Sequence, residues 1–177
     1  KDNIIASKFL NEEVFAGGAL AAANHIAGFC KNVTLASCVG MKNDYKSFIL
    51  SHLKPNIKPH FCYRKDAPTV VKRRFVDPHF LTKLFEICYL SDTDPLPDEL
   101  EAGVIKYLES EVKKFDMVLV ADFGHGFITS KIIGMICKKA NFLAVNVQTN
   151  SANLGFNLIT KFPRADYICI DEPEIRF

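Results

Sequence analysis

The chain has 177 residues, 49% of them hydrophobic, and its 22 Lys and Arg nearly balance 20 Asp and Glu for a formal net charge of +2. That length and apolar content suit one folded domain with a sizeable core and exclude a mainly disordered chain. The near-neutral balance excludes a general nucleic-acid binder, because Lys72-Arg73-Arg74 is the one run of three basic residues. Six cysteines, at 30, 38, 62, 88, 137 and 169, form no Cys-x-x-Cys pair, so neither a zinc site nor a disulfide framework is indicated. They read as reduced core thiols of a cytoplasmic protein. No apolar run has membrane-spanning length, and the start has no signal-peptide architecture. The chain does not open on Met, so residue 1 is not expected to be the natural start.

Near the amino end, Gly17-Gly18 opens an alanine-rich helix that feeds a buried strand, Val33–Val39. A glycine pair before a helix is either a plain tight turn or a place where a ligand approaches the backbone. In the second case the free N–H groups of the helix start favour anionic or hydroxyl-rich ligands. From Thr69 to Val76 and from Leu81 to Ile87 the sequence is strand-like with mixed polarity, and Asp77-Pro78 between the two runs signals a turn. This predicts an antiparallel flap over residues 67–90, exposing apolar side chains and unpaired edges that need a cover. Lys72 and Arg74 share one face of its first strand, opposite Arg73. Either face could clamp a phosphate or carboxylate, or simply hold a solvated edge.

A helix is predicted from Pro97, with Asp98 and Glu99 in its first turn and Leu100, Val104, Leu108 and Val112 as its apolar stripe. Strands are predicted at Met117–Ala121, Phe142–Val147 and Tyr167–Ile170, with a helix over Ser130–Lys139 between the first two. The alternation indicates an α/β chain with a largely parallel sheet, so the loops at the strand carboxyl ends are where ligands bind. Three such loops carry polar chemistry. Asp122-Phe123-Gly124-His125-Gly126 offers a carboxylate for ligand hydroxyls or a metal-water shell, or a turn cap. Asn146 to Asn153 is dense in neutral amides, suited to polyol hydroxyls and equally to a surface loop. Asp171-Glu172-Pro173-Glu174 could hold magnesium through water, or be a solvated acidic turn.

Taken in order, Gly17-Gly18-Ala19, Ala67-Pro68-Thr69-Val70-Val71-Lys72-Arg73-Arg74, Val120 to Gly126 and Ala165 to Glu174 resemble the ribokinase-like carbohydrate kinases (the PfkB family). Within them the chain is most similar to the heptose-phosphate kinase type, often fused to a nucleotidyltransferase domain. The resemblance implies Rossmann-like αβα layers with a mostly parallel sheet and a small antiparallel β lid. It implies an ATP- and Mg2+-dependent kinase for a sugar or sugar phosphate, with a homodimer paired through the lid. On the matching positions it implies a substrate site at Gly17, Gly18, Asn24, Lys72, Arg74, Asp122, Gly124 and Asn146, with Asp171 and Glu174 facing the metal through water. Departures are Ala21 where the family has a sugar-contacting Asn, Asn146-Val147-Gln148 where heptose kinases have Asp-Pro-Lys, and Asp171 where the metal motif begins with Asn. The family's first strand is expected before Lys1, and its Gly-Ala-Gly-Asp motif with the catalytic base beyond Phe177, so the 177 residues alone are expected to be inactive. The alternative is a degenerate, non-catalytic sugar-binding or dimerisation module of a nucleotidyltransferase fusion. A dinucleotide-binding Rossmann module is disfavoured because no Gly-x-Gly-x-x-Gly joins the first strand and helix.

Overall fold

The computed structural model describes residues 6–43, 45–91, 96–149 and 153–176. Helix α1 (Ala19–Ile26) leads into strand β1 (Val33–Gly40), then α2 (Lys46–Ser51) and β2 (Ile57–Arg64). The flap strands β3 (Val71–Asp77) and β4 (Thr82–Tyr89) follow. The carboxyl half consists of α3 (Asp98–Glu111), β5 (Val118–Asp122), α4 (Ser130–Lys139), β6 (Leu143–Val147), β7 (Tyr167–Ile168) and α5 (Glu172–Ile175). The fold is α/β, with parallel sheets and one small antiparallel pair.

The parallel strands lie in two sheets rather than one, β1-β2 and β5-β6-β7. β1 and β5 are not hydrogen-bonded to each other, and both line one broad cleft. Alternation along the strands builds the layers of the first sheet. Leu35 and Ile57 turn toward Ala23 of α1 and Ala27 at its end, whereas Cys38 and Cys62 turn toward the core that holds α3. His60 of β2 stacks flat on Tyr107 of α3, with ring centroids 3.4 Å apart. β2 is absent from the sequence reading because Lys58, Pro59 and His60 interrupt its apolar run. Pro59 is tolerated because β2 is an edge strand, where a missing donor costs no ladder bond.

α4 runs Ser130–Lys139, as its periodicity predicts, and buries Ile132, Ile133, Ile136 and Cys137. Thr129 caps its start by accepting a hydrogen bond from the Ile132 amide. Arg164 closes its end, donating to the carbonyls of Cys137 and Ala140 and pairing with Asp166 at 2.6 Å. Charge at the last turn also opposes the negative end of the helix dipole. Pro97 is the residue before α3 rather than its first residue, and Asp98, Glu99 and Glu101 occupy the first turn. Glu101 is buried and bonds Lys131 of α4 at 2.6 Å. That hydrogen bond holds the Glu101 carboxyl below its ordinary range.

The flap is a two-stranded antiparallel ribbon, with Asp77 accepting the amides of His79 and Phe80 at its turn. Phe75 stacks on Phe85 across the strands at 4.3 Å, yet both rings stay exposed. The cysteines are less uniformly internal than expected. Cys62 and Cys137 are buried, Cys38 and Cys88 half-buried, and Cys30 and Cys169 exposed. Among the described residues, no helix is long and apolar enough to cross a membrane.

Candidate functional site

The strand carboxyl ends gather three of the predicted loops. Gly18 precedes α1 with φ +57°, a conformation that favours glycine. A Cβ there would meet only the Phe123 ring, at 3.6 Å, so the backbone angle rather than space selects glycine. The same contact brings the glycine pair against the loop that follows β5.

Asp122 ends β5 with 3% of its surface exposed. Its Oδ1 accepts the Gly124 amide at 2.9 Å, and Oδ2 lies 2.5 Å from the Lys161 ammonium. Lys161 also donates to Asn157 Oδ1 at 2.5 Å, and its side chain is 31% exposed. Buried Asn157 donates in turn to the carbonyls of Asp122 and Gln148, and buried Asn153 donates to the Phe123 carbonyl. Gly124 has φ +70°, and a Cβ on it would fall 2.0 Å from Asn153 Nδ2. The amides at 153 and 157 therefore hold the Asp122 loop in place, while residues 150–152 of the predicted amide-rich segment lie outside the described residues. Sequence reasoning missed Lys161. It sits in a 3-10 turn, Ile159–Lys161, with no motif around it, and only its partner reveals it.

The flap is anchored at the same edge. The Thr69 hydroxyl donates to the Gly40 carbonyl and accepts the Gly40 amide, both at 3.1 Å, while Asn43 Oδ1 accepts the Thr69 amide at 2.6 Å. A Cβ on Gly40 would overlap the Pro68 backbone at 1.9 Å, so glycine permits this close approach. Arg74 pairs with Glu86 across the flap at 2.7 Å, and Arg73 on the opposite face reaches Glu12 at 3.1 Å. Burial works against the Glu86 charge, but a hydrogen bond from Cys88 and the charges of Arg74 and Lys72 hold its carboxyl low. The alternation predicted for Lys72 and Arg74 is thus present, with both gathered around Glu86.

Gly17, Gly18, Lys72, Arg74 and Asp122 all line the cleft between β1 and β5. Gly124 sits just behind Asp122, packed on Asn153 and Asn157. Asn24 is placed elsewhere. Its Nδ2 donates to the His52 carbonyl at 2.7 Å and its Oδ1 accepts the Lys54 amide at 2.9 Å, fastening α1 to the turn before β2. Asn146 donates to the Cys169 carbonyl at 2.7 Å, bridging β6 to the chain after β7. Asp171 and Glu174 form a capping box on α5, and Glu174 additionally accepts the Thr149 amide at 2.7 Å. Those backbone bonds satisfy Glu174 without a cation. Among the described residues no group of three or more His, Cys, Asp or Glu is arranged to hold a metal ion.

No family model matches the chain. It is similar to the bifunctional protein HldE of Campylobacter jejuni strain RM1221, 25% identical over 154 residues, which is 87% of this chain and 31% of that protein. The bifunctional protein HldE of Campylobacter jejuni subsp. doylei is 23% identical over the same length and shares. The bifunctional protein HldE of Bradyrhizobium diazoefficiens is 33% identical over 66 residues, 37% of this chain and 13% of that protein. The chain spans about a third of the length of the Campylobacter relatives. Most of these 177 residues are therefore distantly homologous to one part of the bifunctional HldE proteins.

Proposed function

We propose that the chain is the substrate-binding and lid-bearing part of an ATP-dependent carbohydrate kinase that acts on a sugar or sugar phosphate. One observation carries the reading: the glycine pair, the buried Asp122 carboxylate and the anchored basic flap line one cleft that runs along β1 and β5. Backbone amides and a carboxylate suit sugar hydroxyls, and Lys72 with Arg74 suits a phosphate. Lys161 supports the phosphate side of the reading. The loop after β6 lacks the Asp-Pro-Lys of heptose kinases, yet Lys161 brings an ammonium to the same strand end, next to Asn157 and the Gln148 carbonyl.

In this reading the substrate hydroxyl attacks the γ-phosphate of ATP, with magnesium neutralising the phosphates, in the complete enzyme. Asp122, Lys72 and Arg74 orient the sugar, and the flap excludes water. The exposed Phe75–Phe85 face of the flap pairs two subunits, and a nucleotidyltransferase domain is the fusion partner. A second reading, a non-catalytic sugar-binding or dimerisation module, draws on Asp122 itself, whose charge Lys161 already balances.

Titration calorimetry of the chain with a heptose or hexose phosphate tests the site. Heat of binding that is lost in Asp122→Ala, with the variant still folded by circular dichroism, is expected. Unchanged binding in that variant would remove Asp122 from the site, and no binding of any sugar phosphate by the wild type would sink the reading.

A further inference from the structure

We propose that Cys38 and Cys62 are a reversible modification site, a cross-strand disulfide that forms with a hydroperoxide as oxidant. The two residues are direct partners in the parallel register of β1 and β2, so their side chains leave the same face. Adjacent strands lie about 4.8 Å apart, within the Cα separation a disulfide accepts. Closing the bridge draws the Cβ atoms to about 4 Å, so the oxidised form is strained and readily reduced. The register sets the two thiols against each other, whereas Cys88 donates to Glu86 and Cys137 to the Arg164 carbonyl. Their mutual interaction pushes the Cys38 thiol up and the Cys62 thiol down; burial raises both, and the Arg64 guanidinium lowers both. Cys62 is thus the better nucleophile, and Cys38 lines the cleft through which a small oxidant enters.

The chemistry balances on the pair alone. The Cys62 thiolate attacks one oxygen of hydrogen peroxide, the O–O bond breaks, and hydroxide leaves as the sulfur becomes a sulfenic acid. Cys38 then attacks that sulfur, the S–S bond forms, the S–O bond breaks, and water departs with the Cys38 proton. Two thiols lose two electrons and two protons, and one peroxide becomes two waters. Gly40, against which the flap entry packs, follows Cys38 by two residues, so the bridge tightens the strand ends beneath the flap.

The test uses the 177-residue chain with the exposed thiols removed as Cys30→Ser and Cys169→Ser. After hydrogen peroxide, the intact unalkylated chain should be lighter by about 2 Da, and denaturing alkylation followed by mass spectrometry should show two protected thiols, both changes reversed by dithiothreitol. Digestion should yield a peptide joining Cys38 to Cys62. Adding Cys38→Ser should abolish the bridge and leave Cys62 carrying added oxygen. Cys38 and Cys62 both remaining alkylatable, or a bridge that includes Cys88 or Cys137, would overturn the proposal.

Discussion

Replacing Lys161 by methionine keeps an unbranched chain of similar length and removes the charge opposite Asp122. The carboxylate left behind is 3% exposed, with the Gly124 amide as its remaining hydrogen-bond donor in the structure. Breaking a buried ion pair from one side costs roughly 3–5 kcal/mol. The Lys161 side chain is 31% exposed, so water enters where the ammonium stood and about half of that cost remains, ~2 kcal/mol. In urea, with a slope of about 2 kcal/mol/M, the unfolding midpoint should fall by about 1 M. Urea is the denaturant of choice because guanidinium salt screens the pair. Asp122→Asn alone leaves a lysine that can turn to solvent, and should cost about 1 kcal/mol. The double variant Asp122→Asn/Lys161→Met removes both charges and should be more stable than Lys161→Met alone. If Lys161→Met unfolds at or above the midpoint of the double variant, the carboxylate does not depend on Lys161 and the reasoning fails.

Two further outcomes follow from the packing. Gly40→Ala drives a methyl into the Pro68 and Thr69 backbone, which cannot swing aside as a side chain would. It should cost about 1–3 kcal/mol in urea denaturation and speed hydrogen exchange across β3 and β4, read by mass spectrometry. Glu101 has a folded-state carboxyl held below its ordinary 4.5 by Lys131, so it stabilises the fold above that value and loses this contribution as pH falls through the folded one. Glu101→Gln should therefore lower the urea midpoint at about pH 6, and the gap to wild type should narrow toward about pH 3.

Periodicity and punctuation were enough to read much of this fold along the chain. The 3.6-residue stripe specifies α4, the Asp77-Pro78 turn between two strand-like runs specifies the flap, and four apolar runs specify β1, β5, β6 and β7, the last of which stops at Ile168 rather than Ile170. These are local signals, carried by neighbours in sequence. The candidate site was legible to the extent that parallel strands place their carboxyl ends on one side, which is why Gly18 and the Asp122 loop meet.

What tertiary structure decided is which side chains serve that edge and which serve the scaffold. Asn24 and Asn146 are polar residues in plausible places, yet each is committed to a backbone carbonyl of a neighbouring segment. Lys161 carries no motif and becomes informative only beside Asp122. Cys38 and Cys62 look like two scattered thiols until the β1–β2 register sets one against the other. The physical reason is common to all of these. Helices and turns are stabilised within a few residues, so sequence alone determines them, whereas pairing across strands and loops depends on register and burial that exist only once the chain has closed on itself.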